Sequence, residues 1–242
     1  MIPFDRPSAR LLEEQSAWLA SARSRLFRRV QIAGRRRVLD LGGGPGAVTA
    51  ELVRRARGKV VALDRSLATL RENPGPLIGA YRVCGEAARL PLAPESFDLV
   101  FCQFALLWMD MARAVWEIHR VLRPDGVLVA LEPDYGGLIE HPPELATRAL
   151  WLKALARAGA DPCAGRKLPC VLAAAGFEVR TDLLDRLPPP SPVRFELLRE
   201  LPLTEEERQI LRQAEAADAA CPEGQRVVHL PMFLVTATKS SR

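Results

Sequence analysis

The 242-residue chain has no apolar run able to cross a bilayer. A span needs roughly 20 such residues, whereas the longest candidate, Leu99 to Met109, is about half that length and carries Gln103. No membrane span is expected. At the N-terminus, MIPFDRPSARLLEEQ places charges where a secretion signal would have its apolar stretch, so the expected location is cytoplasmic. The five cysteines, Cys84, Cys102, Cys163, Cys170 and Cys221, form no CxxC pair and no cluster with histidine at zinc-ligand spacing. Neither a metal site nor a disulfide framework is expected. Cys84 and Cys102 fall in apolar strand-like runs and read as core. Internal repeats are absent, and no linker isolates a second domain. With 48% hydrophobic residues, the chain is expected to bury one large core.

Acidic residues are scarce at one end. Residues 1–37 hold nine arginines (6, 10, 23, 25, 28, 29, 35, 36 and 37) against Asp5, Glu13 and Glu14, a net +6, while the rest of the chain is −1. Such a segment suits a nucleic acid, an acidic small molecule or an anionic surface; a solvated helix face explains it as well. From the N-cap candidate Ser8, Leu11, Leu12, Gln15, Trp18, Leu19, Ala22, Leu26 and Val30 recur at helical spacing, which predicts one amphipathic helix with arginines on its outer face.

After Gly34 the rhythm changes. Near-continuous apolar runs at Arg37–Leu41, Val60–Leu63, Tyr81–Cys84, Asp98–Gln103 and Val127–Leu131 read as strands. Helical segments Ala47–Arg57, Ser66–Glu72 and Met111–Leu122 separate them. This alternation predicts an α/β fold with a parallel sheet. Two further helical runs lie between Pro142 and Gly176, Phe177–Leu183 reads as a strand, and RLPPPSPVRF as a stiff connection. Thr204 to Glu207 has capping-box spacing for a helix to about Asp218, and Met232–Thr238 closes as a strand.

Four glycines follow the first strand in VLDLGGGPGAVTAEL. A strand ending in Asp40, then bare backbone, then a helix N-terminus brings a ligand to the carboxyl edge of a parallel sheet. The next strand ends in Asp64, whose carboxylate can accept from both hydroxyls of a ribose. Together these point to a nucleoside cofactor. Gly42, Gly44 and Ala47 also satisfy the relaxed dinucleotide fingerprint, so NAD competes on this motif. Against NAD, no second mononucleotide-binding half follows the fifth strand. Leu106, Leu107 and Trp108 beyond Gln103 build the apolar, aromatic floor that a sulfonium favours.

Across residues 38 to about 133 the sequence resembles the class I S-adenosylmethionine (SAM)-dependent methyltransferases, closest to the branch with ubiquinone- and menaquinone-type enzymes. Its D-x-G-x-G-x-G loop is matched by Asp40, Gly42, Gly44 and Gly46, and its ribose-binding acid by Asp64. GEAARLPLAPESFDLV matches a segment that implies adenine contacts at Glu86 and Ala87, although Glu86 stands where the family usually has Asp. The resemblance places Gln103 beside the methionine part of the cofactor, and adds Gly43 and Arg65 to the implied set. It also implies a Rossmann-like, mostly parallel seven-stranded sheet with an antiparallel last strand, helices on both faces and helical lid insertions. The expected organisation is a single methyltransferase domain over 1–242. Residues 1–36 form a helical cap, 37–135 the SAM-binding core, 136–176 a helical lid insertion, and 177–242 the C-terminal strands and helix.

Methyl transfer is a displacement governed mainly by placement in a water-poor site. In EPDYGGLIEHP, Asp134 and His141 are candidate bases, and Tyr135 a candidate for lining the pocket. The fourth strand is followed by Gln103-Phe104-Ala105-Leu106, not by the (D/N/S)-P-P-(Y/F/W) of amino-directed nucleic-acid methyltransferases. The expected acceptor is a small, partly apolar molecule, with nucleic acid not expected as a partner. RNA or protein methylation through the basic helix, and NAD-dependent oxidoreduction, are the alternatives.

Overall fold

The computed structural model describes residues 7–72, 75, 77–184, 191–222 and 224–240. Its centre is a seven-stranded sheet. The strands are β1 (Arg37–Leu41), β2 (Lys59–Asp64), β3 (Ala80–Cys84), β4 (Phe97–Gln103), β5 (Leu122–Pro133), β7 (Phe177–Leu183) and β9 (Met232–Lys239), and their order is β3-β2-β1-β4-β5-β9-β7. β1 through β5 pair in parallel, whereas β9 runs antiparallel to both β5 and β7. The Rossmann-like α/β expectation holds, including the antiparallel final strand. Two three-residue strands, β6 (Ile139–His141) and β8 (Val227–His229), form a separate antiparallel ribbon.

Alternating side chains supply two cores, because successive residues of a strand point to opposite faces. On one face Leu39, Val100, Cys102, Leu128 and Ala130 pack against α5 (Met111–Val121) and α7 (Ala164–Ala174). On the other, Val38, Leu99, Phe101 and Val129 meet α2 (Ala20–Arg29) and α3 (Thr49–Arg55). A third cluster lies over the carboxyl edge of the sheet. It joins α1 (Ala9–Ala17), α6 (Arg148–Arg157), α8 (Val193–Arg199) and α9 (Glu205–Ala220) through Leu11, Trp151, Leu155, Phe195, Leu197 and Leu211. The short α4 (Leu67–Glu72) completes the helices used below.

Several expectations change in detail. The N-terminal helix is broken at Trp18–Leu19, with Leu19 at φ −104° and ψ 6°. The break has a packing cause: Leu11 serves the cluster above the sheet edge, whereas Leu19, Leu26 and Phe27 serve the sheet face. Within 136–176, α6 covers the sheet edge as expected of a lid, but α7 buries Leu168 and Leu172 on the sheet itself. Cys102 is buried, but Cys84 is exposed, because β3 is an edge strand. The capping box forms, with Glu207 N–H donating to Thr204 Oγ1 and Thr204 N–H to Glu207 Oε2. Residues 1–6 of the N-terminal stretch and 186–190 of the proline-rich connection lie outside the described residues. Among those described, no helix is long and apolar enough to cross a membrane.

Candidate active site

The glycine loop after β1 is bent by its own hydrogen bonds. Gly42 and Gly43 N–H groups both donate to the Leu63 carbonyl at 2.8 and 3.1 Å, and Gly46 N–H returns to Gly43 O at 2.9 Å. Gly42 has φ +72°, and a Cβ there would sit 2.5 Å from the Ala105 Cβ. Both the backbone region and the neighbour therefore demand glycine at this position. Under the loop, Asp40 is buried and accepts from Thr49 Oγ1 at 2.6 Å, which ties β1 to the first turn of α3. Burial pushes its carboxyl up to about 6, against the opposing pull of the Thr49 hydrogen bond.

Asp64 ends β2 half-buried. Its Oδ2 accepts from Gly44 N–H at 3.1 Å and its Oδ1 from Ser66 N–H at 2.9 Å. An ionised carboxylate offers about four acceptor positions, so two backbone donors orient the group while leaving capacity for a ligand.

The floor is the segment after β4, and its anchor is Glu132, which the sequence reading did not single out. This residue is fully buried. Its Oε1 accepts from Ala105 N–H at 3.0 Å and Leu106 N–H at 2.9 Å, and its Oε2 from Leu107 N–H at 3.4 Å. Burial pushes its carboxyl up to about 7, although the three backbone donors oppose the shift. The sequence did contain a signal, an acid inside the apolar run VLVALEP.

These elements enclose one cavity of about 610 Å³, within the range of small-molecule and cofactor sites. One end is bounded by Asp40, Gly42, Gly43, Gly44, Asp64 and Arg65, and by Glu86, Ala87 and Gln103. Gly46 alone of the expected loop positions is not on the cavity wall; it closes the turn beneath. The other end is apolar and aromatic, with Leu12 of α1, Phe104, Trp108, Tyr135, Trp151, Leu155 and Leu197. Tyr135 and Trp151 stack at a centroid separation of 4.6 Å. Burial, with Glu132 nearby, holds the Tyr135 hydroxyl well above its ordinary range, so it serves as a donor and not as a base.

The two other candidate bases stand elsewhere. Asp134 is buried and accepts from Arg166 Nε at 2.6 Å and Gly136 N–H at 3.1 Å, which makes it a fastening for the turn after β5. His141 is exposed on the β6–β8 ribbon, paired with Val227. Neither lines the cavity.

The expected solvated arginine face is partly buried. Arg23 is 4% exposed and donates to Glu51, to the Ser16 carbonyl and to Gln103 Oε1. Arg29 pairs with Asp182, and Arg35 donates to the carbonyls of Val30 and Asp98.

Strand order, glycine loop and carboxyl-edge cavity define the class I methyltransferase architecture. In agreement, residues 39–130 match the methyltransferase domain family. The malonyl-[acyl-carrier protein] O-methyltransferase of Pseudescherichia vulneris is 36% identical over 104 residues, covering 43% of this chain and 41% of that protein. An uncharacterized methyltransferase of Mycobacterium bovis is 43% identical over 96 residues, 40% of this chain and 39% of that protein. The chain thus spans about two fifths of the length of these curated relatives. A putative methyltransferase of Bacillus halodurans shares the fold at TM-score 0.66 with 21% identity, over 92% of this chain and 100% of its own. The YcgJ protein of Bacillus subtilis does so at TM-score 0.65 with 17% identity, over 91% and 100%.

Proposed function

We propose that this chain is a SAM-dependent methyltransferase that acts on a small, partly apolar acceptor. The observation that carries the reading is a single cavity with two unlike ends, polar backbone and carboxylates at one, aromatic and aliphatic walls at the other. Gly42 to Gly44 would lie under the amino-acid part of SAM, Asp64 would take its ribose hydroxyls, and Glu86 and Ala87 would face its adenine. The fit is physical: Asp64 has unused acceptor capacity, Gly42 leaves a bare surface, and the aromatic wall suits a cation. SAM, when bound, supplies an electrophilic methyl on a sulfonium.

The chain's own contribution is placement and exclusion of water. Glu132 holds the floor, α1, α6 and α8 cover the acceptor end, and Tyr135 offers one hydrogen-bond donor. Asp110 follows Trp108 and Met109 on the cavity wall, with its carboxylate held by the backbone N–H and the guanidinium of Arg113. An acceptor that already holds a lone pair free for attack, as a carboxylate, an amine or an ionised hydroxyl does, needs no base at this site. A carboxylate agrees with the O-methylation named for the malonyl-[acyl-carrier protein] relatives. The family match ends at residue 130, so of the acceptor end only Phe104 and Trp108 fall within it, while Leu12, Tyr135, Trp151, Leu155 and Leu197 lie outside.

Calorimetry with S-adenosylhomocysteine and with NADH on the full chain tests the reading. Saturable binding of S-adenosylhomocysteine alone is expected; binding of NADH alone would overturn it. Methylation of RNA or protein through the basic segment is disfavoured, since Arg23, Arg29 and Arg35 are engaged within the fold.

A further inference from the structure

The acceptor end of the cavity is walled by rings and short of positive charge. Tyr135 and Trp151 belong to the cluster above the sheet edge, and Phe104 and Trp108 pack against it. All four border the cavity. Among the described residues, the charged groups on the cavity wall are Asp40, Asp64, Glu86, Asp110 and Arg65, four carboxylates against one guanidinium. Arg65 directly follows Asp64 at the end of β2, which puts it at the cofactor end. Asp110 stands at the other end, between Trp108 and Met111, which both pack against the aromatic cluster. Its carboxylate caps α5 by accepting from Arg113 N–H at 3.1 Å. The Arg113 guanidinium, 3.4 Å away, is 76% exposed and off the cavity wall, so solvent screens the pair. No cationic side chain among the described residues lines the acceptor end.

Such a wall discriminates among the acceptors that need no base. A carboxylate or an ionised hydroxyl would leave water for rings and a carboxylate, with no protein cation to meet it. A neutral amine enters without that cost. As its nitrogen lone pair forms the new N–C bond, the C–S bond breaks and its electron pair stays on sulfur, leaving a neutral thioether. Positive charge thus moves onto nitrogen, and a nitrogen-bound proton then passes to water. Ring faces and Asp110 attract that charge only where it develops, which lowers the barrier without tightening the ground state. The Tyr135 hydroxyl oxygen, in a residue 4% exposed, can accept an N–H of the amine and leave the lone pair free to attack.

Basicity narrows the amine further. A lysine-like alkylamine, with a pKa of about 10.4, is protonated at pH 7 and has no lone pair to give. An arylamine is neutral there, because its ring draws on the lone pair, and its flat apolar body suits walls of rings. We propose that the acceptor is a weakly basic aromatic amine, seated among Phe104, Trp108, Tyr135 and Trp151 with Asp110 at the edge, and methylated on nitrogen. This assignment rests on the methyltransferase reading above.

Matched compounds that differ only in the reacting group test it: p-toluidine and 5-aminoindane, p-toluate and indane-5-carboxylate, p-cresol and indan-5-ol. The alkylamine 4-methylbenzylamine is run beside them. S-adenosylhomocysteine is first titrated into the full chain by calorimetry; failure to bind would overturn the methyltransferase reading and this one with it. Each compound is then titrated into the loaded chain and, separately, incubated with SAM and its products weighed by mass spectrometry. The arylamines should bind saturably, about tenfold or more tighter than the carboxylates, and gain one N-methyl group about tenfold faster than the alkylamine does. Asp110→Asn keeps the helix cap but removes the charge, and should lower kcat for the arylamines about threefold with KM little changed. With S-adenosylhomocysteine bound, carboxylates that bind as tightly as the arylamines, arylamines that neither bind nor react, or an unchanged kcat in Asp110→Asn would each overturn the assignment while the methyltransferase reading stood.

Discussion

Nη1 of Arg23 lies 2.9 Å from Oε1 of Gln103, across 80 positions of sequence. The same guanidinium reaches Glu51 through Nε at 2.8 Å and the Ser16 carbonyl at 2.9 Å. One side chain therefore joins the break between α1 and α2, the first turn of α3 and the carboxyl end of β4. Gln103 accepts from Arg23 through its carbonyl and donates through Nε2 to the same Ser16 carbonyl at 3.5 Å, so both ends of its amide are tied to the α1–α2 break.

Arg23→Ala removes one partner of a buried pair, which typically costs about 3–5 kcal/mol. Urea unfolding should show that loss, and affinity for S-adenosylhomocysteine should fall with it as Gln103 and α1 lose their anchor. Arg23→Lys should recover little, since one ammonium does not span three acceptors in a fork.

Asp64→Asn keeps the shape of the side chain but halves its acceptors and removes its charge. Loss of charged hydrogen bonds to a ribose is worth roughly 1.5–3 kcal/mol, so calorimetry should read a weakening of about ten- to a hundredfold for S-adenosylhomocysteine. Unchanged affinity would move the ribose away from β2.

Glu132 sets a pH dependence whose sign is fixed by its burial. Its folded-state value of about 7 lies above that of an unfolded glutamate, so between about pH 4.5 and 7 the folded state binds more protons than the unfolded. Stability from this group is present at low pH and declines as pH rises through that window, by on the order of 3 kcal/mol. Asp40, at about 6, adds in the same direction. Chemical denaturation of the wild type and Glu132→Gln across pH 5 to 8 should show the stability difference between them shrinking as pH rises. A constant difference would mean that Glu132 does not titrate there.

Gly42→Ala places a Cβ 2.5 Å from that of Ala105 and forces φ +72° on alanine. Each effect costs about 1–3 kcal/mol. In the Ala105→Gly background the contact is gone and the backbone cost remains, so the second Gly42→Ala step should be cheaper by thermal unfolding. Additivity of the two substitutions would place the cost elsewhere.

His141→Ala should leave the rate of methyl transfer within about twofold, because the imidazole is exposed on the ribbon, away from the cavity. Tyr135→Phe keeps the stack on Trp151 but loses the only donor that ring offers, and should raise the KM of a polar acceptor more than it lowers kcat.

Elements that depend on local pattern were legible in the residues. β1 and β7 begin and end where the residue pattern places them, and the glycines and Asp64 stand where a bent loop and an acid at a strand end are needed. What depended on distant partners was not. Arg23 looked like one of several arginines on a helix face, and only the break at Trp18–Leu19 turns it inward. Glu132 finds its donors 25 to 27 positions upstream. Asp134 looked like a base because nothing local announces Arg166, which lies 32 positions on. The β6–β8 ribbon has three-residue strands, too short for any periodicity to register.

The placement of β9 between β5 and β7 also governs the order in which the molecule can assemble. Within the sheet β7 touches only β9, so it has no berth until Met232–Lys239 are present. Until then β5 presents seven residues, Val127 to Pro133, as an open edge. Such an edge invites pairing with other chains. A polypeptide cut before residue 232 would keep its glycine loop and Asp64, yet should collect in aggregates instead of folding, because the last strand closes a sheet that everything before it leaves unfinished.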